Sequence, residues 1–181
     1  GLTNVTAISG GYYHTCALKT DDKVDCWGMN SSGQVGNGTM ITPTKPVAVT
    51  GLTNVTAISG GYYHTCALKK DGNVACWGMN SSGQLGDGTK TKRLSPVPVT
   101  GLTNVTAIDG NGFYTCALKK DASVVCWGKN KFGQLGDGTK NNSNKPVAVK
   151  GLTNVTAISA GYYHNCALKK DGNVACWGYN Y

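Results

Sequence analysis

The residues of this chain best suited to chemistry are histidine and cysteine, and they recur together. His14 stands two positions before Cys16, and Cys26 follows ten positions further on; His64, Cys66 and Cys76 repeat the arrangement, as do His164, Cys166 and Cys176. One His with two Cys could ligate zinc, a Cys pair could cycle as a redox couple, or it could be a structural staple. The third copy separates these readings. It carries Tyr114 in place of histidine yet keeps Cys116 and Cys126, so a zinc site would lose a ligand there, and no fourth ligand is in view. No C-x-x-C spacing supports a redox role. Cys16 and Cys26 lie symmetrically about Asp21, the centre of a hairpin, which sets them opposite each other on adjacent strands. Disulfides Cys16–Cys26, Cys66–Cys76, Cys116–Cys126 and Cys166–Cys176 are therefore expected, with buried free thiols as the remaining alternative. No metal and no cofactor is expected.

Catalysis finds little support. No serine, carboxylate or second histidine recurs beside His14 in the arrangement that nucleophilic chemistry needs, and near-identical copies argue against one asymmetric catalytic centre. No catalytic residue is nominated, and the chain is expected not to be an enzyme. The run Tyr12-Tyr13-His14 and its copies have two readings. Each ring can pack between repeats with its polar tip on a backbone carbonyl, or the rings can form a shared binding rim. The candidate rim comprises Tyr12, Tyr13, His14, Tyr62, Tyr63, His64, Phe113, Tyr114, Tyr162, Tyr163 and His164. Trp27, Trp77, Trp127 and Trp177, on the opposite strand face from the second cysteine, read as core.

These residues are positioned by a repeat. GLTNVTAI opens at Gly1, Gly51, Gly101 and Gly151, so 181 residues hold three full units and about six tenths of a fourth. A fixed period of this length signals a solenoid, propeller or array. Within the first unit, residues 5–9, 14–19, 24–28 and 46–50 are short alternating apolar or β-branched runs separated by Gly, Asn, Asp and Pro. No window has the spacing of an amphipathic helix. Lys70-Asp71-Gly72 reads as a three-residue hairpin loop with glycine in the left-handed position. The expected fold is all-β, with β-propeller blades of four-stranded antiparallel sheets, about 3.6 per chain: residues 1–50, 51–100, 101–150 and a partial 151–181.

The combination HTCALKxDGxVxCWGxN, then GQLGDGT, then PVxV resembles the repeat of the regulator of chromosome condensation family across the whole chain. The resemblance implies propellers, usually seven-bladed. Its members include a nuclear exchange factor for a small GTPase, secreted bacterial proteins that grip an enzyme, and many surface proteins. One scaffold hosts many activities. Eight locally paired cysteines point to an oxidising compartment, so the chain is expected to be extracellular, of the secreted, disulfide-bearing bacterial type. Bridges across such short loops would stabilise by about 3 kcal/mol each. No run reaches the roughly 18 apolar residues of a membrane span.

Asp87-Gly88-Thr89 and Asp137-Gly138-Thr139 read as Asx-type turns rather than calcium loops, since the first unit has Asn37 there. The net charge is +8, but lysines recur once per hairpin tip (Lys69-Lys70, Lys119-Lys120, Lys169-Lys170), a rim that could attract acidic proteins or glycans. Nucleic acid does not fit an oxidising location. Sequons stand at Asn4, Asn30, Asn37, Asn54, Asn80, Asn104, Asn141 and Asn154, all glycosylation candidates. Variation concentrates after the GDGT turns and in the third unit, at Asp109, Asn111, Phe113, Tyr114, Lys129, Lys131 and Phe132. The expected function is non-catalytic extracellular protein binding or self-assembly into a ring or filament, with other chains or a longer parent chain covering the ends. A lectin-like glycan-binding propeller and guanine-nucleotide exchange are the alternatives.

Overall fold

The computed structural model describes residues 1–180; Tyr181, counted above in the fourth unit, lies outside them. The chain is an all-β, open arc of four antiparallel sheets, a partial β-propeller. The first sheet contains β1 (Val5–Gly10), β2 (His14–Lys19), β3 (Val24–Gly28) and β4 (Val47–Ala48). The second contains β5 (Val55–Gly60), β6 (His64–Lys69), β7 (Val74–Gly78) and β8 (Arg93–Pro98). The third contains β9 (Val105–Asn111), β10 (Tyr114–Lys119), β11 (Val124–Gly128) and β12 (Ser143–Ala148). Three strands, β13 (Val155–Ala160), β14 (His164–Lys169) and β15 (Val174–Gly178), form the fourth. In each sheet the strands are hydrogen-bonded in chain order. The first strands β1, β5, β9 and β13 touch in succession and line the inside of the arc.

The fourth strand departs from the expected 46–50. In the first unit it is only Val47–Ala48, and in the next two it begins further upstream, at Arg93 and Ser143. Pro96 and Pro146 fall inside these strands. Proline has no N–H for a ladder and is tolerated because each fourth strand is the outer edge of its sheet. The hairpin tip is a turn with a bulge: Asp22 N donates to Lys19 O at 3.0 Å and Lys19 N to Lys23 O at 2.9 Å. Its left-handed position holds Asp22, Gly72, Ala122 and Gly172, with φ of 59°, 76°, 63° and 82°.

Period-two alternation sends the two faces of each sheet to different neighbours. One core cluster joins Cys16, Leu18, Val24 and Cys26 of the first sheet to Ala67 and Trp77 of the second. The next joins Cys66, Leu68, Val74 and Cys76 to Ala117 and Trp127. The third joins Cys116, Leu118, Val124 and Cys126 to Ala167, with Trp177 packed against it. The first three cysteine pairs thus sit between their own sheet and the following one, and Trp77, Trp127 and Trp177 face the preceding one. The pairs Cys16–Cys26, Cys66–Cys76, Cys116–Cys126 and Cys166–Cys176 are directly opposite in register and disulfide-bonded.

Candidate functional site

Both ends of the arc carry repeated polar or aromatic groups, and the sheets separate them. One end holds the hairpin tips, where Lys69, Lys119 and Lys169 pair with Asp71, Asp121 and Asp171 at 3.3–3.5 Å. The other holds the connections from first to second strand, residues 11–13 and their copies, together with the chain leaving each third strand.

At this second end the structure splits the Tyr-Tyr-His run. The tyrosines remain at the surface and gather: Tyr12 stacks on Tyr62 with ring centroids 4.0 Å apart, and Tyr62 meets Phe113 at 5.1 Å and Tyr162 at 5.6 Å. Tyr13, Tyr63 and Tyr163 lie beside them, Tyr13 to Tyr63 at 6.3 Å. Tyr12 and Tyr13 are about half exposed, at 54% and 50%. A hollow of about 200 Å³ opens among Tyr12, Tyr62, Tyr162 and Asn111, floored by glycines 10, 11, 60 and 61. The Tyr12 phenol is pulled below its ordinary pKa by hydrogen bonding from Tyr62, whose own phenol is pushed up by the same bond. A larger hollow of about 440 Å³ lies near Leu52, Pro96 and Leu102, where no titratable groups converge except Lys69.

His14, His64 and Tyr114, nominated for the rim, are buried between sheets and correct that part of the expectation. Only His164 among the histidines is exposed. The His14 imidazole fits against Gly11, where a Cβ would lie 2.1 Å from the ring. His14 Nε2 is 2.8 Å from Thr65 Oγ1, and the Thr65 hydroxyl donates to the Gln34 carbonyl at 2.8 Å. That hydroxyl has one proton, so it must accept from His14, which is therefore the neutral Nε2–H tautomer. His64, Thr115 and the Gln84 carbonyl repeat the relay at 2.9 and 3.2 Å. Burial pushes His14 down to about 4; burial and, secondarily, His14 push His64 down to about 3. These histidines are struts, not bases.

The carbonyls of Gln34, Gln84 and Gln134 also accept the indole N–H of Trp77, Trp127 and Trp177 at 2.9, 2.9 and 3.0 Å. Gly86, with φ +68°, lets that loop lie on the neighbouring indole; a Cβ would stand 2.9 Å from Trp127. Asn30 and Asn80 anchor the same loops. Their amides donate to Asn37 or Asp87 and to the carbonyls of residues 39 and 41 or 89 and 91. At 0% and 1% exposure they are closed to glycosylation, correcting two sequon candidates. Asn4, Asn54, Asn104 and Asn154 are exposed with φ of 57–58°, a left-handed conformation that asparagine tolerates well. Asn141 is exposed and Asn37 partly so.

The departures of the third unit divide into two groups. Asp109, Asn111 and Tyr114 point into the junction with the fourth sheet. Phe113, Lys129, Lys131 and Phe132 stay at the aromatic end, where Lys129 Nζ lies 5.0 Å from the Phe113 centroid and 5.7 Å from that of Tyr163. Sequence reasoning flagged all seven residues but had no means of dividing them.

The profile of the Regulator of chromosome condensation (RCC1) repeat matches residues 21–68, 71–118 and 121–168. The chain belongs to this repeat family. Human WBSCR16 superposes with a TM-score of 0.86 at 24% identity, over 97% of this chain and 47% of that protein. Yeast RCC1 (Prp20), solved bound to Kap60, gives 0.84 at 21% identity, over 96% and 43%. Prp20p has also been characterised for its binding to Gsp1p and histones. The Arabidopsis thaliana ultraviolet-B receptor UVR8 is 47% identical over 45 residues, 25% of this chain and 10% of the receptor. The chain spans less than half the length of these solved relatives.

These findings correct the expectations about identity and setting. The matched relatives are yeast, human and plant proteins, not secreted bacterial-type repeats. The extracellular location, inferred from cysteine pairing alone, is withdrawn, because proteins sharing the fold include Prp20, solved with Kap60 and characterised for binding Gsp1p and histones. Self-assembly gives way on the same ground, because Prp20 engages different proteins, Kap60, Gsp1p and histones. The expectation of a non-catalytic module is withdrawn as well, because Prp20p, which shares the fold, has been characterised for its binding to Gsp1p.

Proposed function

We propose that this chain forms part of an RCC1-type propeller that promotes guanine-nucleotide exchange on a small GTPase, held against the aromatic end. The observation carrying this reading is the likeness to Prp20 over 96% of the chain, a protein studied for its binding to Gsp1p. Exchange explains how an active protein can lack an acid/base constellation. An exchange factor binds the nucleotide-free GTPase more tightly than the loaded form, and by linkage the nucleotide is then held more weakly. Every 1.4 kcal/mol or so of that difference weakens nucleotide binding about tenfold. The protein needs a rigid surface with aromatic anchors, and the cluster around Tyr62 and Phe113 on an arc of tightly packed sheets supplies one. The test is release of fluorescent GDP from the GTPase Gsp1p with and without the chain. Acceleration that is lost in Tyr62→Ala supports the reading; release at the intrinsic rate refutes it.

A further inference from the structure

The third unit breaks the repeat at one sector of the aromatic end. Where the first two units have Met29 and Met79, it has Lys129; where they have Ser31-Ser32 and Ser81-Ser82, it has Lys131-Phe132. The new side chains form one patch. Phe132 packs edge-on against Tyr163 at 4.8 Å and Tyr179 at 4.7 Å. Lys129 reaches over Phe113 and Tyr163, and Lys131 lies 5.9 Å from the Phe132 centroid. Lys131 is exposed; Lys129 and Phe132 are partly so.

The two lysines of this patch differ from several at the opposite end. At the opposite end Lys69, Lys119 and Lys169 each have an aspartate within 3.5 Å, and Lys19 is 3.1 Å from Asp25. Among the described residues neither Lys129 nor Lys131 forms an ion pair. Asp109 accepts from Ala160 N at 2.8 Å and Asp137 from Thr139 and Asn130, and neither carboxylate forms an ion pair with Lys129 or Lys131. Ring faces attract the two ammonium groups only weakly at an exposed site, leaving most of their field directed outward.

We propose that Lys129, Lys131 and Phe132 form a docking site for an acidic segment of a partner protein. Its carboxylates would meet the two ammonium groups, and a neighbouring apolar side chain would rest on Phe132 and Tyr163. Charge complementarity selects an anionic occupant. The ring packing selects a peptide over a single-stranded nucleic acid. Stacking platforms present open ring faces to successive bases, whereas here Tyr12 and Tyr62 cover each other and Phe132 is wedged between Tyr163 and Tyr179. The site does not depend on the exchange reading.

The probe is a fluorescein-labelled peptide alternating Glu and Leu, titrated with the chain and read by anisotropy, alongside its Gln/Leu counterpart and labelled oligo-dT. The variant is Lys129→Met with Lys131→Ser, residues that the first two units already carry at these positions, and thermal melting checks its fold. The Glu peptide is expected to bind, about tenfold more weakly in the variant, through loss of two charge contacts. Lys69→Ala, at the far end, is expected to bind as the parent does. Equal affinity for the Gln peptide, unchanged affinity in the double variant, an equal loss in Lys69→Ala, or preference for oligo-dT would each overturn the proposal.

Discussion

The junction between the second and third sheets and that between the third and fourth use the same backbone geometry but close it with different chemistry. In the former, Ser59 Oγ accepts from Gly110 N at 2.8 Å, and the neutral His64 donates through Thr115 to the Gln84 carbonyl. In the latter, Asp109 replaces the serine and accepts from Ala160 N, and Tyr114 replaces the histidine. The Tyr114 hydroxyl reaches across the junction to the carbonyls of Gly161 and His164, both at 2.7 Å. Asn165 then replaces the threonine and donates to the Gln134 carbonyl at 2.7 Å. Changes 56 residues apart, Asp109 and Asn165, are therefore parts of one junction. A buried polar group left alone costs far more than a satisfied one contributes, so the set has to change together.

The indoles give the largest expected contrast. Trp127 is fully buried in the earlier junction, while Trp177 is only partly buried in the later one. Trp127→Ala should destabilise by about 3–5 kcal/mol, and Trp177→Ala clearly less, measured by urea denaturation. Equal losses would mean that the two junctions are equally tight.

Acid should distinguish them next. Burial holds His14 at about 4 and His64 at about 3, below the 6.5 that each has when exposed. The unfolded chain therefore takes up protons first as pH falls through about 6.5, and stability is lost between there and about pH 3–4. At pH 5 the loss is about 2 kcal/mol per histidine. Tyr114 is uncharged throughout, with burial pushing its phenol up, so its junction contributes no histidine term. The drop in melting temperature from pH 7.5 to 5 should shrink in His14→Gln/His64→Gln. An undiminished drop would place the acid sensitivity elsewhere.

The smallest effect belongs to one hydroxyl. Tyr114→Phe keeps the ring but strands the Gly161 carbonyl, while the His164 carbonyl still accepts from Gly161 N at 2.7 Å; the expected cost is about 1–2 kcal/mol, read from the urea midpoint. No change would mean that water or backbone movement satisfies that carbonyl.

Much of the fold was legible in the sequence because it is local or periodic. GLTNVTAI at fifty-residue intervals announces repeated sheets, and K-D-G announces a hairpin with a left-handed residue. Facing cysteines need only that hairpin. The candidate site was less legible. Tyr13 and His14 are neighbours in sequence, yet one ring lies at the surface and the other between sheets. Tyr13 ends the connection and His14 opens β2, and which of them is covered depends on a sheet fifty residues away.

The sequence by itself therefore determined the repeat, the strand type, the turn chemistry and the facing cysteines, all consequences of short-range geometry and period. Only the tertiary structure decided how the third unit's seven departures divide: Asp109, Asn111 and Tyr114 to a junction, Phe113, Lys129, Lys131 and Phe132 to the surface. It decided too that Asn30 and Asn80 are internal anchors and not exposed acceptors. The physical reason is common to both. Burial and hydrogen-bond partners come from the adjoining blade, and no local pattern specifies which side chains that blade will cover.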